Sequence, residues 1–74
     1  MNEHDMKILI NANALKRVHI NFGVMTLGYM IVADGRPLEN SKGDTRVFKT
    51  LDSASKLLFK MGVSEFNVKL KTTT

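Results

Sequence analysis

The stretch TLDSASKLLFKMG, Thr50 to Gly62, carries the one helix that this sequence announces. Leu51, Ala54, Leu57, Leu58 and Met61 recur at helical spacing and form a single apolar stripe. Thr50 or Asp52 can cap its start by offering a side-chain oxygen to free backbone N–H groups. Gly62 supplies the left-handed residue that ends a helix, and Val63 the apolar contact that accompanies such a cap. A helix of about ten residues is roughly 15 Å long at 1.5 Å per residue. That length covers one face of a small twisted sheet, so the fold class expected is α+β. The architecture expected is a small antiparallel β-meander with one α-helix packed on one face and a final C-terminal strand.

The strands are read from alternation. Leu15 to Phe22 places Val18, Ile20 and Phe22 on one side and Arg17, His19 and Asn21 on the other, the period of a half-buried antiparallel strand. Met6 to Ile10 is apolar and β-branched enough for a short strand, with Asn11 to Ala14 as a turn or an irregular entry to the next strand. Gly23 to Gly28 reads as a bend or bulge, and Tyr29 to Ala33 as a strand apolar on both faces. Asp34-Gly35 suits a type I′ hairpin turn. Pro37 confines the arm from Arg36 to Glu39 to a sheet edge, because proline cannot donate to a ladder. A second turn at Asn40 to Asp44 precedes an expected strand over Thr45 to Thr50. The last strand is expected over Glu65 to Leu70, with Phe66, Val68 and Leu70 inward. One domain is expected over residues 1–74, with 1–5 and 72–74 frayed.

The chain has 74 residues and no cysteine. A domain of this size buries only about 60% of its unfolded surface. Disulfides and thiolate metal sites are excluded, so self-association is a natural further source of stability. The strand from Tyr29 to Ala33 sharpens that expectation. If one helix covers one face of the sheet, Met30 and Val32 lie on the other and can meet a second copy, giving a homodimer. No apolar run approaches the roughly 20 residues that span a bilayer, and MNEHD lacks the basic and apolar regions of a secretory signal. A soluble cytoplasmic protein with no membrane contact is expected.

The residue inventory points away from catalysis. Histidine occurs only at His4 and His19, and Ser41, Ser53, Ser55 and Ser64 lack the flanking pattern of an activated nucleophile. No zinc-ligand spacing and no triphosphate loop is present, so no metal and no cofactor is expected.

The cations are more informative. The formal net charge is +4. Lys16 and Arg17 lie in a segment with no acid between Asp5 and Asp34, and six basic residues face two acidic ones from Thr45 to Lys71. Such a surface can track a phosphate backbone, or simply keep the domain in solution. The candidate nucleic-acid-binding residues are Lys16, Arg17, His19, Arg46, Lys69 and Lys71. No stacking platform is evident, since Phe22, Phe48 and Phe66 read as core. Phe59 falls about 140° from the centre of the apolar stripe at 100° per residue. It is either a rim residue or, with Met30 and Val32, part of a partner interface.

The segment NSKGDTRVFKTLDSASKLLFKMGVSEFNV, with its turn before Arg46, its run FKTLDSA and its helix ending in glycine before a final strand, resembles small plasmid-related or partition-associated proteins of plasmids and integrative elements. The earlier GYMIV matches the same pattern loosely. The resemblance implies a protein of a bacterial accessory genetic element and transfers no catalytic residue. The function expected is a non-catalytic binding module with nucleic acid as its ligand; the alternative is a protein–protein adaptor or homodimeric structural module.

Overall fold

The computed structural model describes residues 1–23 and 27–69. Helix α1 spans Glu3–Asn11 and strand β1 Val18–Gly23. Strands β2 and β3 span Gly28–Ala33 and Arg36–Pro37. Helix α2 spans Leu51–Met61 and strand β4 Asn67–Lys69. The sheet order is β3-β2-β1-β4, with β4 parallel to β1 and the other pairs antiparallel. The fold is α+β, but with two helices and a mixed sheet rather than one helix and a pure meander.

The first correction is α1, which occupies the Met6 to Ile10 stretch expected as a strand. Asn2 caps it, its Oδ1 accepting from the Asp5 N–H at 2.8 Å, and Glu3 and Asp5 place negative charge at the positive end of the helix dipole. Met6 is buried while Ile8 is 53% exposed, the pattern of a helix and not of a two-residue repeat. Residues 1–5, expected to fray, therefore hold the cap and first turn, and Asn2 bridges to Glu39.

The second correction is the direction of β4. Phe48 exchanges two 2.8 Å backbone bonds with Tyr29, on the β3 side of β2. Helix α2 then carries the chain to the opposite edge, where β4 must run parallel to β1, as a crossover requires. The Thr45 to Thr50 segment is not a continuous strand. It makes two isolated bridges, Thr45 with Glu39 and Phe48 with Tyr29, because it meets two different partners. β1 starts at Val18 rather than Leu15, and Val68 in β4 is 39% exposed rather than inward. The expected inward Leu70, the interior of the Gly23 to Gly28 bend and the tail 72–74 lie outside the described residues.

Other readings are met directly. Thr50 is the α2 N-cap, its Oγ1 accepting from the Ser53 N–H at 3.1 Å. Gly62 is left-handed at φ 101°, and the Val63 N–H reaches the Leu58 carbonyl at 2.9 Å in a Schellman-type ending. Asp34 and Gly35 both have positive φ, as a type I′ turn needs, and Pro37 sits on the edge strand β3.

Met6 from α1, Ala54, Leu58 and Met61 from α2, and Ile20, Ile31 and Ala33 from the sheet form one buried cluster with Leu38, Phe48 and Val63. Both helices thus pack on the face that carries Ile20 and Ile31. Strand alternation puts His19, Asn21, Met30 and Val32 on the other face, with Met30 and Val32 half-buried. Gly28 is buried where the 47–48 segment crosses close by. A Cβ there would collide with the Val47 side chain and approach the Phe48 carbonyl oxygen to 2.9 Å.

Two stability predictions follow from this packing. Leu58→Ala should lose about 2–5 kcal/mol in urea unfolding, whereas Phe59→Ala should lose no more than about 1.5 kcal/mol, the scale of one aromatic pair. Gly28→Ala should cost about 1–3 kcal/mol, since the Phe48 carbonyl it displaces is hydrogen-bonded to Tyr29. A Gly28→Ala variant as stable as the parent would show that the 47–48 segment can move aside freely.

Candidate nucleic-acid interface

The candidate interface begins at a carboxylate. Asp34, in the β2–β3 turn, accepts from the Arg17 N–H at 2.7 Å and from the Lys16 N–H at 3.1 Å, and its own N–H donates to the Arg17 carbonyl at 2.8 Å. These bonds pin the entry to β1 beside the hairpin. The Arg17 and Lys16 amides, in that order, hold the Asp34 carboxyl below its ordinary pKa, and the nearby cationic side chains add to the effect. Both cationic side chains are exposed, and neither is in an ion pair among the described residues.

Lys16, Arg17 and Val18 form one wall of a groove of about 610 Å³, closed on the other side by Phe59 and the segment Ser64 to Asn67. Phe59 is 62% exposed. Its ring meets Phe66 edge-on, centroids 6.1 Å apart and planes at 68°. Two cations stand in the groove against the single carboxylate of Glu65.

The groove adjoins the sheet face opposite the two helices. There His19 is paired with Asn67 and Asn21 with Lys69 across β1 and β4. The first alternating strand and the last are thus neighbours in the sheet. Burial holds the His19 imidazole below its ordinary pKa, and Lys69 lowers it further by charge repulsion. The Asn21 Oδ1 is buried and has no hydrogen-bond partner among the described residues.

The structure does not bring all the sequence candidates together. Arg46 lies toward the β3 edge, where its Nη1 is 2.9 Å from Glu3 Oε1 and its Cζ 5.0 Å from the Phe48 ring centroid. It ties α1 to the 45–48 segment, away from β1. Lys71 lies outside the described residues. Met30 and Val32 are on the face opposite the helices, and Phe59 is in the groove rather than beside them. The sequence assigns Phe66 to the core, Asp34 to a turn and Asn67 no role, so none of the three is expected at the site. Asp34 could be read as a turn residue, but its carboxylate is bonded to amides 17 and 18 positions earlier, a link no local pattern reveals.

Among the described residues no helix is long and apolar enough to cross a membrane. The chain matches no family model, and neither a curated protein nor a solved structure proved similar to it.

The sign of the His19 effect is fixed by the depressed value. An unfolded imidazole titrates near 6.5. Since the folded value is lower, the unfolded chain binds more protons as pH falls, so this stability is present above about 6.5 and lost as pH drops through the folded value. An NMR pH titration should place the His19 midpoint below about 6.5. Lys69→Gln should raise it only in part, because burial, the larger cause, remains. A midpoint at or above 6.5 would contradict the burial of His19 and its closeness to the Lys69 charge.

Proposed function

We propose that this domain is a non-catalytic nucleic-acid-binding module, working in the cytoplasm for a bacterial accessory genetic element of the plasmid type. The observation that carries the reading is the groove: Lys16 and Arg17 stand exposed beside an exposed aromatic ring, with His19 and Lys69 on the adjoining strands. Cations free of side-chain partners can exchange counterions for phosphates, and this exchange dominates nucleic-acid affinity. His19, held toward its neutral form, adds a hydrogen-bonding group near neutral pH and a further cation in acid. The accessory-element assignment rests on the sequence resemblance of the Asn40 to Val68 segment.

Fluorescence anisotropy with labelled oligonucleotides tests the reading. Binding should weaken steeply with salt. Contacts from Lys16, Arg17 and Lys69 correspond to a log–log slope of about −2 on single strands. Lys16→Ala should make that slope shallower by about 0.7. Absence of binding to single- and double-stranded oligonucleotides at low salt would remove the proposal.

A second reading, protein contact through the sheet, is favoured by one observation: both helices pack on one face, leaving Met30 and Val32 on the other. In this reading a twofold homodimer buries that face. Light scattering across a dilution series should then show a dimer that Met30→Lys and Val32→Lys dissociate. A monomer at every concentration would exclude it.

A further inference from the structure

We infer that the groove beside Phe59 receives an unpaired base, so that the ligand class of this interface is single-stranded nucleic acid. The inference rests on the nucleic-acid reading above and narrows it. Phe59 lies in the last turns of α2, directly after the fully buried Leu58, and projects into the groove instead of the core. An aromatic ring that is fixed on one side and open over most of its surface offers a π-face. Every base can stack on such a face, which makes it tolerant of sequence. Phe66 does the fixing, through the edge contact at 6.1 Å.

The charge arrangement sets the polarity of the site. Lys16 and Arg17 on one wall attract phosphates, whereas Glu65 on the other repels them and can accept from an exocyclic base amine. The strand backbone therefore follows the Lys16–Arg17 wall and the base points toward Phe59. Ser64 and Asn67, both exposed in the groove, offer further donors and acceptors to a base edge. A groove of about 610 Å³ is within the range of sites that hold small organic groups. A duplex cannot use this geometry, because its bases are already stacked on both sides and their faces are closed to a protein ring. An acidic peptide could satisfy the two cations but would leave Phe59 without a stacking partner.

The experiment uses the whole chain and a fluorescein-labelled deoxyadenosine dodecamer, whose bases carry the exocyclic amine, single-stranded or annealed to its complement, with poly-glutamate as a competing polyanion. The chain has no tryptophan, so Phe59→Trp introduces a single indole as a reporter. Single strands should bind more tightly than the duplex and quench that indole. Phe59→Ala should weaken single-strand binding about 5- to 140-fold, the range measured for one base–aromatic stack, while leaving the salt slope unchanged. Phe59→Leu, which preserves bulk and apolarity, should show the same loss, with circular dichroism confirming that both variants fold. Equal binding of duplex and single strand, with Phe59→Ala and Phe59→Leu silent, would overturn the inference while leaving the proposed function standing. Quenching of the indole by poly-glutamate as strongly as by the dodecamer would overturn it in favour of an acidic peptide. Failure of both nucleic-acid forms to bind would remove the inference and the proposed function together.

Discussion

The burial of Leu58 against the sheet determines the rest of the surface. Leu58, Ile20 and Ile31 have no exposed area, and they sit in one cluster shared by both helices. With that side chain locked inward, the 100° step of an α-helix turns Phe59 away from the core. The exposed ring is therefore a consequence of helix phase and not of loose packing. The same constraint keeps both helices off the opposite side of the sheet. Once α1 and α2 share the Ile20–Ile31 face, His19, Asn21, Met30 and Val32 are left on a face without helical cover.

Chain crossover converts this packing into a site. Helix α2 begins just after Phe48 is bonded at the β3 side of the sheet and delivers the chain to the other edge beside β1. The left-handed Gly62 turns it there, and the next residues, Ser64 to Asn67, become the far wall of the groove. Lys16 and Phe66 are thus brought to one groove by topology alone. A meander would have put the last strand elsewhere, and the two walls would not have met.

What was legible in the sequence follows the range of the forces involved. The α2 caps, its stripe, the Asp34-Gly35 turn and the edge position of Pro37 depend on residues within a few positions of one another, and they read correctly. Helix α1 reads as a strand because four of the five residues from Met6 to Ile10 are apolar and two of them β-branched. The deciding signal was Asn2 three residues before Asp5, a capping arrangement that lies outside the apolar window. The parallel pairing of β4 had no local signature at all, since a three-residue strand carries too little alternation to report its partner or its direction. Of the site, Lys16, Arg17, His19, Lys69 and Phe59 were visible as residue types out of place on a core or an apolar stripe. Arg46 was equally visible and belongs instead to the α1 contact, which only Glu3 in space discloses.

Asp34 shows how a surface can keep its positive charge beside an acid. Had this carboxylate bonded the Lys16 or Arg17 side chain, it would have held a cation in a fixed pair and taken it from any ligand. It bonds their backbone amides instead. The amides satisfy the carboxylate oxygens, hold the wall of the groove in place and leave both side chains to solvent. At an exposed site the remaining attraction between Asp34 and these cations acts through water and is small. A phosphate in direct contact with the ammonium or guanidinium competes with water and counterions, not with a bonded carboxylate. The same residue that shapes the hairpin through its positive φ thereby keeps the cationic wall rigid in its main chain and free at its charged ends.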